Sequence, residues 1–177
     1  MFKGIYILLI SILCLYSNAN ALEWKSLHEE ADEKNLKDAL ASLNRNPESL
    51  ADLYILGLVY LNLHKNKNAD KVFGKMFALD PESVEAKWGL AEVLRRRKDI
   101  EKSQELLNNI IDSNPDFSPA YISLAYLKYT QTEFKQAIRL ALRVQKQGKD
   151  NVDLSNYTRS YLIFSGAKGM IASSALR

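Results

Sequence analysis

Residues 50–83 read LADLYILGLVYLNLHKNKNADKVFGKMFALDPES, and the pattern of this stretch returns twice further along the chain. The spacing is clearest in the prolines, because Pro47, Pro81 and Pro115 recur at equal intervals. A fixed period of about 34 residues indicates a solenoid of stacked repeats, here with two helices in each repeat. The same spacing relates five further columns: Leu56, Leu90 and Leu124; Gly57, Ala91 and Ala125; Ala69, Ser103 and Ala137; Phe73, Leu107 and Ala141; and Met76, Ile110 and Val144.

Two of these columns hold small side chains, and they predict where the two helices of a repeat cross. In the third repeat the small residues are Ala125 on the first helix and Ala137 on the second. Helix backbones approach closely only where both partners are small, while larger neighbours such as Leu124 and Leu140 fill the surrounding space. We therefore expect Ala125 and Ala137 to face each other.

Three motifs in phase, Asn46-Pro47-Glu48, Asp80-Pro81-Glu82 and Asn114-Pro115-Asp116, predict the starts of helices. The Asn or Asp oxygen would cap free backbone N–H groups, and proline fixes φ for the first helical turn. The acid that follows would meet the positive end of the helix dipole. A plain turn is the alternative for any one motif, but three in phase favour helix starts.

The chain resembles the tetratricopeptide repeat family over residues 22–151. The best match is the unit 50–83, followed by the units 84–117 and 118–151. The resemblance implies an all-α fold, a right-handed superhelix of antiparallel helix pairs whose inner face binds peptides or protein segments. In the first unit it is carried by Leu53, Leu56-Gly57, Tyr60, Ala69, Phe73 and Pro81.

Three lysines depart from the family pattern. Lys87 and Lys128 stand where large apolar or aromatic residues are usual, and Lys149 stands where the proline of the third unit would be. These departures leave the end of the third unit open.

Residues 1–21 have the pattern of a secretory signal peptide. Lys3 precedes an almost unbroken apolar run from Ile5 to Tyr16, and the segment ends in Ala19-Asn20-Ala21. This run is shorter than the ~20 residues needed to cross a bilayer, which favours cleavage after Ala21 over an uncleaved anchor. A lipoprotein is not indicated, because Leu13 rather than a small residue precedes Cys14. The sequence thus predicts export to the periplasm or the exterior, with no membrane span after the signal is removed.

The two ends of the predicted solenoid differ. Residues 22–49 form a partial N-terminal capping repeat, in which Trp24, Leu27, Leu36, Leu40 and Leu43 are predicted to face inward. Residues 152–177 form a long C-terminal helix. It is either an imperfect cap on the last repeat, an apolar strip for a partner or second copy, or the start of a further repeat in a longer protein.

The composition and the motifs of the chain do not indicate a catalytic, cofactor or metal site. The net charge of +3 is too mild to argue for nucleic acid or an anionic membrane surface, and the single cysteine lies in the predicted signal peptide. His28 and His64 fall in different repeats, and Gly166-Ala167-Lys168-Gly169 lacks the context of a phosphate loop. We therefore predict no catalytic, cofactor or metal site.

Basic residues cluster in the turns between paired helices, at Lys65, Lys67 and Arg95-Arg96-Arg97-Lys98. One interpretation is a patch that binds an anion. The other, which we favour, is that these cations lie at the negative C-terminal ends of the first helices.

The resemblance places the binding surface on the inner face, lined by the first helix of each pair. Helical phase then selects ten candidate groove residues. Aromatic side chains interleaved with few charges suit an apolar helix or an extended peptide, unless some of the aromatics are buried between repeats. The candidates are Tyr54, Leu58, Leu61, Asn62, Trp88, Glu92, Arg95, Ile122, Tyr126 and Tyr129.

One known activity of the family is not implied. Grooves that grip a C-terminal carboxylate do so with lysines and asparagines, and here Tyr54 and Leu58 occupy key places.

The sequence therefore predicts an exported, non-catalytic adaptor that binds another envelope protein through its groove. One rival is a ligand-binding or enzyme-accessory subunit, with the groove closed on a small molecule or acyl chain. Another is a structural homo-oligomer built through the C-terminal helix.

Export generates the first testable prediction. Because the apolar segment is short and ends in Ala19-Asn20-Ala21, we expect a mature N-terminus at Leu22 in an extracytoplasmic fraction. Intact-mass measurement of the purified protein checks this. Retention of Met1, or a lipid on Cys14, would contradict it.

Overall fold

A computed structural model describes residues 33–147 and 154–174, and all of its regular structure is helical. The predicted all-α class is confirmed. The predicted signal peptide, residues Trp24 and Leu27, and the predicted end of the third unit at Lys149 lie outside the described residues. The helices are α1 (33–45), α2 (Leu50–Asn62), α3 (Asn66–Leu79), α4 (Val84–Arg96), α5 (Ile100–Ser113), α6 (Ser118–Thr130), α7 (Phe134–Gln147) and α8 (Leu154–Ser174).

The helices stack in two layers that form the superhelix. From α2 onward, each helix packs against the next one along the chain. The alternate helices α2, α4, α6 and α8 also pack against one another in sequence. These four helices therefore form the inner layer, and the groove residues predicted from the sequence lie on the first three of them.

The small-residue columns lie at helix crossings, as predicted. Ala91 and Ser103 are both fully buried, and the Ser103 hydroxyl donates a hydrogen bond of 2.8 Å to the Ala91 carbonyl oxygen. Ala125 and Ala137 are likewise fully buried and belong to one core cluster. These two crossings thus bring the backbones of their helices close together.

The first crossing is filled by the ring of Phe73 on α3. This ring is fully buried and lies directly against the backbones of Gly57 on α2 and Gly89 on α4. A Cβ atom added at either glycine would overlap the ring. The contact therefore requires glycine at both positions, because any other residue would place a Cβ atom in the space of the ring.

The Asn/Asp-Pro motifs form turns rather than helix caps, so the prediction that they start helices is wrong. The N–H groups of Ser49, Ser83 and Phe117 donate to the carbonyl oxygens of Asn46, Asp80 and Asn114, which closes a turn just before each helix. The side chains of Ser49 and Ser83 cap α2 and α4 instead, and no side chain caps α6. These serines, rather than Asn46 and Asp80, cap the helices because each serine oxygen accepts a hydrogen bond from the N–H three residues further along the chain.

The turns inside the repeats share a strained backbone conformation. His64, Lys98 and Thr132, which are again separated by one repeat period, have φ values of 56°, 65° and 63°. This left-handed conformation costs a residue with a side chain roughly 1–2 kcal/mol. The tight reversal between paired helices requires it at each repeat.

The N-terminal helix α1 covers the first repeat with one stripe of residues. Ala39 is buried, and Leu36 and Leu43 pack beside it against α2. The prediction that Leu40 faces inward is wrong, because Leu40 is one position further round the helix and 38% exposed.

The C-terminal helix α8 packs on α7 and α6 through Ser160, Ile163 and Ala167, all of which are buried. It therefore covers the last repeat. Its outer surface carries Leu162, which is 68% exposed, with Tyr161 and Met170 also exposed. Among the described helices, none combines the length and the apolar character required for a membrane crossing.

The Phe73 contact generates a stability prediction with a matched control. Gly89→Ala should destabilise the protein by about 1–3 kcal/mol, because its Cβ forces the Phe73 ring out of place. Gly74→Ala should stabilise it by roughly 0.5–1 kcal/mol, since Gly74 lies mid-helix in α3 with open space where a Cβ would be. Urea unfolding followed by circular dichroism measures both. Stabilisation of equal size in both variants would contradict the packing at Gly89.

Candidate functional site

The inner layer encloses a cavity of about 770 Å³ between α2, α4, α6 and α8. We call it the groove cavity. Six of the ten residues predicted from the sequence line it, and five further residues complete it. The predicted lining residues are Tyr54, Leu58, Leu61, Asn62, Trp88 and Glu92, and the additional ones are Arg96, Ser118, Pro119, Asn156 and Arg159.

The floor of the groove cavity is aromatic and apolar. The rings of Tyr54 and Trp88 meet edge to face, with centroids 6.2 Å apart. Trp88 is 7% exposed, so it is a core residue with one edge on the cavity. Its indole N–H donates a hydrogen bond of 3.0 Å to the Ser123 hydroxyl on α6. The floor is therefore fixed by packing and by this bond.

A buried carboxylate lies beside the floor. Glu92 is 4% exposed and accepts two hydrogen bonds from Arg95, of 3.2 Å from Nε and 2.7 Å from Nη2. Burial alone would raise the pKa of Glu92. The hydrogen bonds and charge of Arg95, together with a hydrogen bond from Ser123, outweigh burial and hold that pKa below its ordinary value.

These bonds make one chain of polar contacts across two repeats. Trp88 donates to Ser123, Ser123 hydrogen-bonds to Glu92, and Glu92 is paired with Arg95. We call this the Glu92 network. It ties α4 to α6 directly beneath the groove cavity.

Arg95 and Tyr126 lie beside the cavity rather than in its lining. The Arg95 guanidinium carbon is 5.0 Å from the centroid of the Tyr126 ring, within cation–π range. Tyr126 is 41% exposed. Both residues lie on the inner layer, but the charge of Arg95 is already matched by Glu92.

The structure does not place Ile122 and Tyr129 in the groove cavity. Ile122 is fully buried in a cluster with Ile163 and Ala167 of α8. Tyr129 packs edge to face on Phe134, with ring centroids 5.6 Å apart. Both positions are covered because α8 lies across them, which the repeat pattern does not show.

Within the basic cluster, Arg96 contacts the end of a helix, whereas Arg95 and Arg97 pair with acids. Arg96 Nη1 donates a hydrogen bond of 2.6 Å to the Leu61 carbonyl oxygen in the last turn of α2, and lies 3.4 Å from His64 Nδ1. Arg97 pairs with Asp70 at 2.7 Å. Arg96 also lines the groove cavity, so it has a second role that the sequence analysis missed.

The repeat spacing contained a signal for Arg96, since it occupies the same column as the predicted groove residue Asn62. Asn156 likewise occupies the column of the predicted groove residues Tyr54, Trp88 and Ile122. Arg159 falls instead in the column of the small residues Gly57, Ala91 and Ala125, so the spacing contains no such signal for it. Asn156 and Arg159 reach the cavity because α8 packs through Ser160 and Ile163, and the repeat pattern does not predict that contact face.

No metal-binding cluster of three or more histidine, cysteine or acidic side chains occurs in the part of the chain that the structure describes. His64 lies in the turn between α2 and α3. His28 lies outside the described residues.

The profile of the tetratricopeptide repeat family matches residues 60–125. Solved structures share the fold, and two of them illustrate the similarity. A tetratricopeptide repeat protein from Parabacteroides merdae has 25% sequence identity and a TM-score of 0.60, over 81% of this chain and 60% of that one. The TPR2B domain of yeast Sti1 in a pHsp70 complex has 18% identity and a TM-score of 0.58, over 68% of this chain and 97% of that one.

Among curated proteins, the protein O-mannosyl-transferase TMTC3 of Homo sapiens is 27% identical over 169 aligned residues. The match covers 84% of this chain but only 18% of the relative, so the chain spans under a fifth of that protein. Together these similarities support tetratricopeptide repeats in residues 60–125 and the all-α superhelical fold.

The Glu92 network generates a prediction about pH. A lowered folded-state pKa means that ionised Glu92 stabilises the fold above its ordinary pKa of 4.5, and that this contribution is lost as the pH falls further. Glu92→Gln should therefore lower the free energy of unfolding at pH 7 by roughly 3 kcal/mol, because it leaves Arg95 unpaired. The difference from the unaltered protein should shrink below pH 4.5. Urea unfolding at several pH values measures it.

The control for this prediction is Glu101→Gln on the exposed surface of α5, which should change stability little at any pH. A Glu92→Gln effect of constant size from pH 7 to pH 3 would show that the ionised carboxylate does not provide the stabilisation.

Proposed function

We propose that this tetratricopeptide repeat solenoid is a non-catalytic scaffold that binds a segment of another protein in the groove cavity. The observation that carries the proposal is the cavity itself, formed by α2, α4, α6 and α8. It combines an aromatic floor, Tyr54 and Trp88, with hydrogen-bonding and charged groups at its walls, Asn62 and Arg159.

This combination suits a polypeptide segment for two reasons. Large aromatic and aliphatic side chains in a pocket supply most of the energy of a protein interface, and polar groups around them fix orientation. The floor is also held rigid by the Glu92 network, so little ordering is needed on binding. The Sti1 TPR2B domain, which shares this fold, was solved in complex with pHsp70, which supports a protein ligand as the class.

Catalysis is not part of the proposal. Mannosyl transfer, named in the TMTC3 relative, belongs to a protein of which this chain matches 18%. Repeat solenoids supply surfaces for assembly, and residues 60–125 of this chain match a repeat family.

We also propose that the scaffold acts outside the cytoplasm, in the assembly or transport of envelope proteins. The support is the signal-peptide pattern of residues 1–21, with its short apolar run and its Ala19-Asn20-Ala21 ending.

A small molecule or acyl chain is the second candidate ligand. A cavity of 770 Å³ lies within the range of about 300–1,000 Å³ that is usual for small-molecule sites. A third arrangement is self-association through the exposed surface of α8 around Leu162.

Site-specific photo-crosslinking in cells tests the proposal with a control on the same helix. Leu58 lines the groove cavity, whereas Ile55 is 51% exposed on α2 and does not. A photo-crosslinking amino acid at position 58 should capture one polypeptide, and the same amino acid at position 55 should not. Mass spectrometry then identifies the captured segment.

A synthetic peptide of that segment should bind the purified protein. Tyr54→Ala should weaken binding about tenfold or more, because an aromatic anchor is lost. Equal capture from positions 55 and 58 would contradict groove binding. Crosslinks only between copies of the chain would instead favour self-association, and a copurifying small molecule that blocks capture would favour the second candidate.

A further inference from the structure

The groove cavity carries positive charge that its described lining residues do not neutralise. Arg96 on α4 and Arg159 on α8 both line it. Glu92 is the one acidic residue among the described lining residues, and it is buried and paired with Arg95 at 2.7 Å. Among the described lining residues, therefore, no unpaired carboxylate remains for either arginine.

Both arginines have N–H groups that can donate hydrogen bonds to a ligand. Arg159 is exposed, and it makes no ion pair within the residues that the structure describes. Arg96 uses Nη1 to hold the Leu61 carbonyl, while its Nε is buried without a hydrogen-bond partner among the described residues. An unpaired buried donor costs free energy that a bound acceptor would recover.

The two guanidinium groups line the same cavity, and their like charges repel each other. Burial lowers the pKa of Arg96, the charge of Glu92 opposes this, and the charges of Arg95 and Arg159 lower it further. A negative group placed between Arg96 and Arg159 would relieve that repulsion. It would also form the charge-assisted bonds that guanidinium makes with carboxylate.

We infer that the groove cavity selects acidic segments, with an aspartate or glutamate side chain of the bound polypeptide between Arg96 and Arg159. A neighbouring apolar or aromatic side chain of the same segment then lies on Tyr54, Leu58 and Trp88. This inference rests on the proposed function and adds the chemistry of the partner: a carboxylate beside an apolar group.

The test is a selection of peptides by the purified mature protein. The probe is a library of random dodecapeptides displayed between two fusion domains, so that no peptide offers a terminal carboxylate. The key variant is Arg159→Gln, because it breaks no ion pair with a described residue, whereas Arg96 holds α2. The matched control is Arg139→Gln on α7, which removes one guanidinium from a different cavity.

We expect the unaltered protein and Arg139→Gln to select peptides with aspartate or glutamate beside aromatic or aliphatic residues. Arg159→Gln should retain the apolar preference and lose the acidic one. For one selected peptide, measured by fluorescence polarisation at low salt, Arg159→Gln should weaken binding about fivefold. Replacing the acidic residue of that peptide with its amide should remove the difference between the two proteins.

Failure of the inference can be told apart from failure of the proposed function. Selected peptides that lack acidic enrichment, yet lose binding to Tyr54→Ala, would overturn the inference and leave groove binding intact. Equal acidic enrichment with Arg159→Gln would also overturn it. If the protein selects no peptides while its circular dichroism shows a folded helical chain, both the inference and the proposed function fail.

Discussion

The ring of Phe73, packed against the bare backbones of Gly57 and Gly89, sets the geometry on which the rest of the molecule depends. It fixes the distance from α3 to both α2 and α4, and so the distance between two successive inner helices. That spacing brings Tyr54 of α2 into ring contact with Trp88 of α4 and creates the floor of the groove cavity. One core contact between repeats thus determines the shape of a surface on the opposite side of the helices.

The Glu92 network places a buried charge beneath the groove cavity, where it holds the cavity floor in place. Removing a carboxylate from water is costly, and a well-packed apolar residue often stabilises a core equally well. Here the buried Glu92 holds Arg95 in place and, with Ser123, orients the indole of Trp88. Because Glu92 is paired with Arg95, it does not fully neutralise Arg96 or Arg159. The cavity therefore keeps its positive charge despite containing an acid.

The repeat period made much of the fold predictable, since α2, α4 and α6 begin at Leu50, Val84 and Ser118, each the first residue of a predicted unit. The period also located the helix crossings, because close contact between backbones requires small residues and these recur in the same columns of each repeat. Helix caps were harder to predict from the sequence, since Asn46 and Ser49 are both good capping residues and lie within a few positions of each other.

The groove was partly predictable for a different reason. Tyr54 and Leu58 follow from the family resemblance combined with helical phase, and the column of Asn62 contains a signal for Arg96. Ile122 and Arg159 depend on how α8 packs, and α8 does not follow the repeat pattern. Sequence periodicity describes contacts between equivalent neighbours, so it does not describe a helix that packs through a different face.

The strained turns at Lys98 and Thr132 have a consequence for how such a chain changes over evolutionary time. These positions sit between the paired helices, at the ends of the inner helices rather than in the groove cavity. A glycine there would release the left-handed strain without altering any lining residue. Substitutions at these turns can therefore raise the stability of the array without changing the groove cavity. New side chains in the groove, even destabilising ones, can be offset by a single change at a distant turn, and the solenoid can acquire new partners without losing its fold.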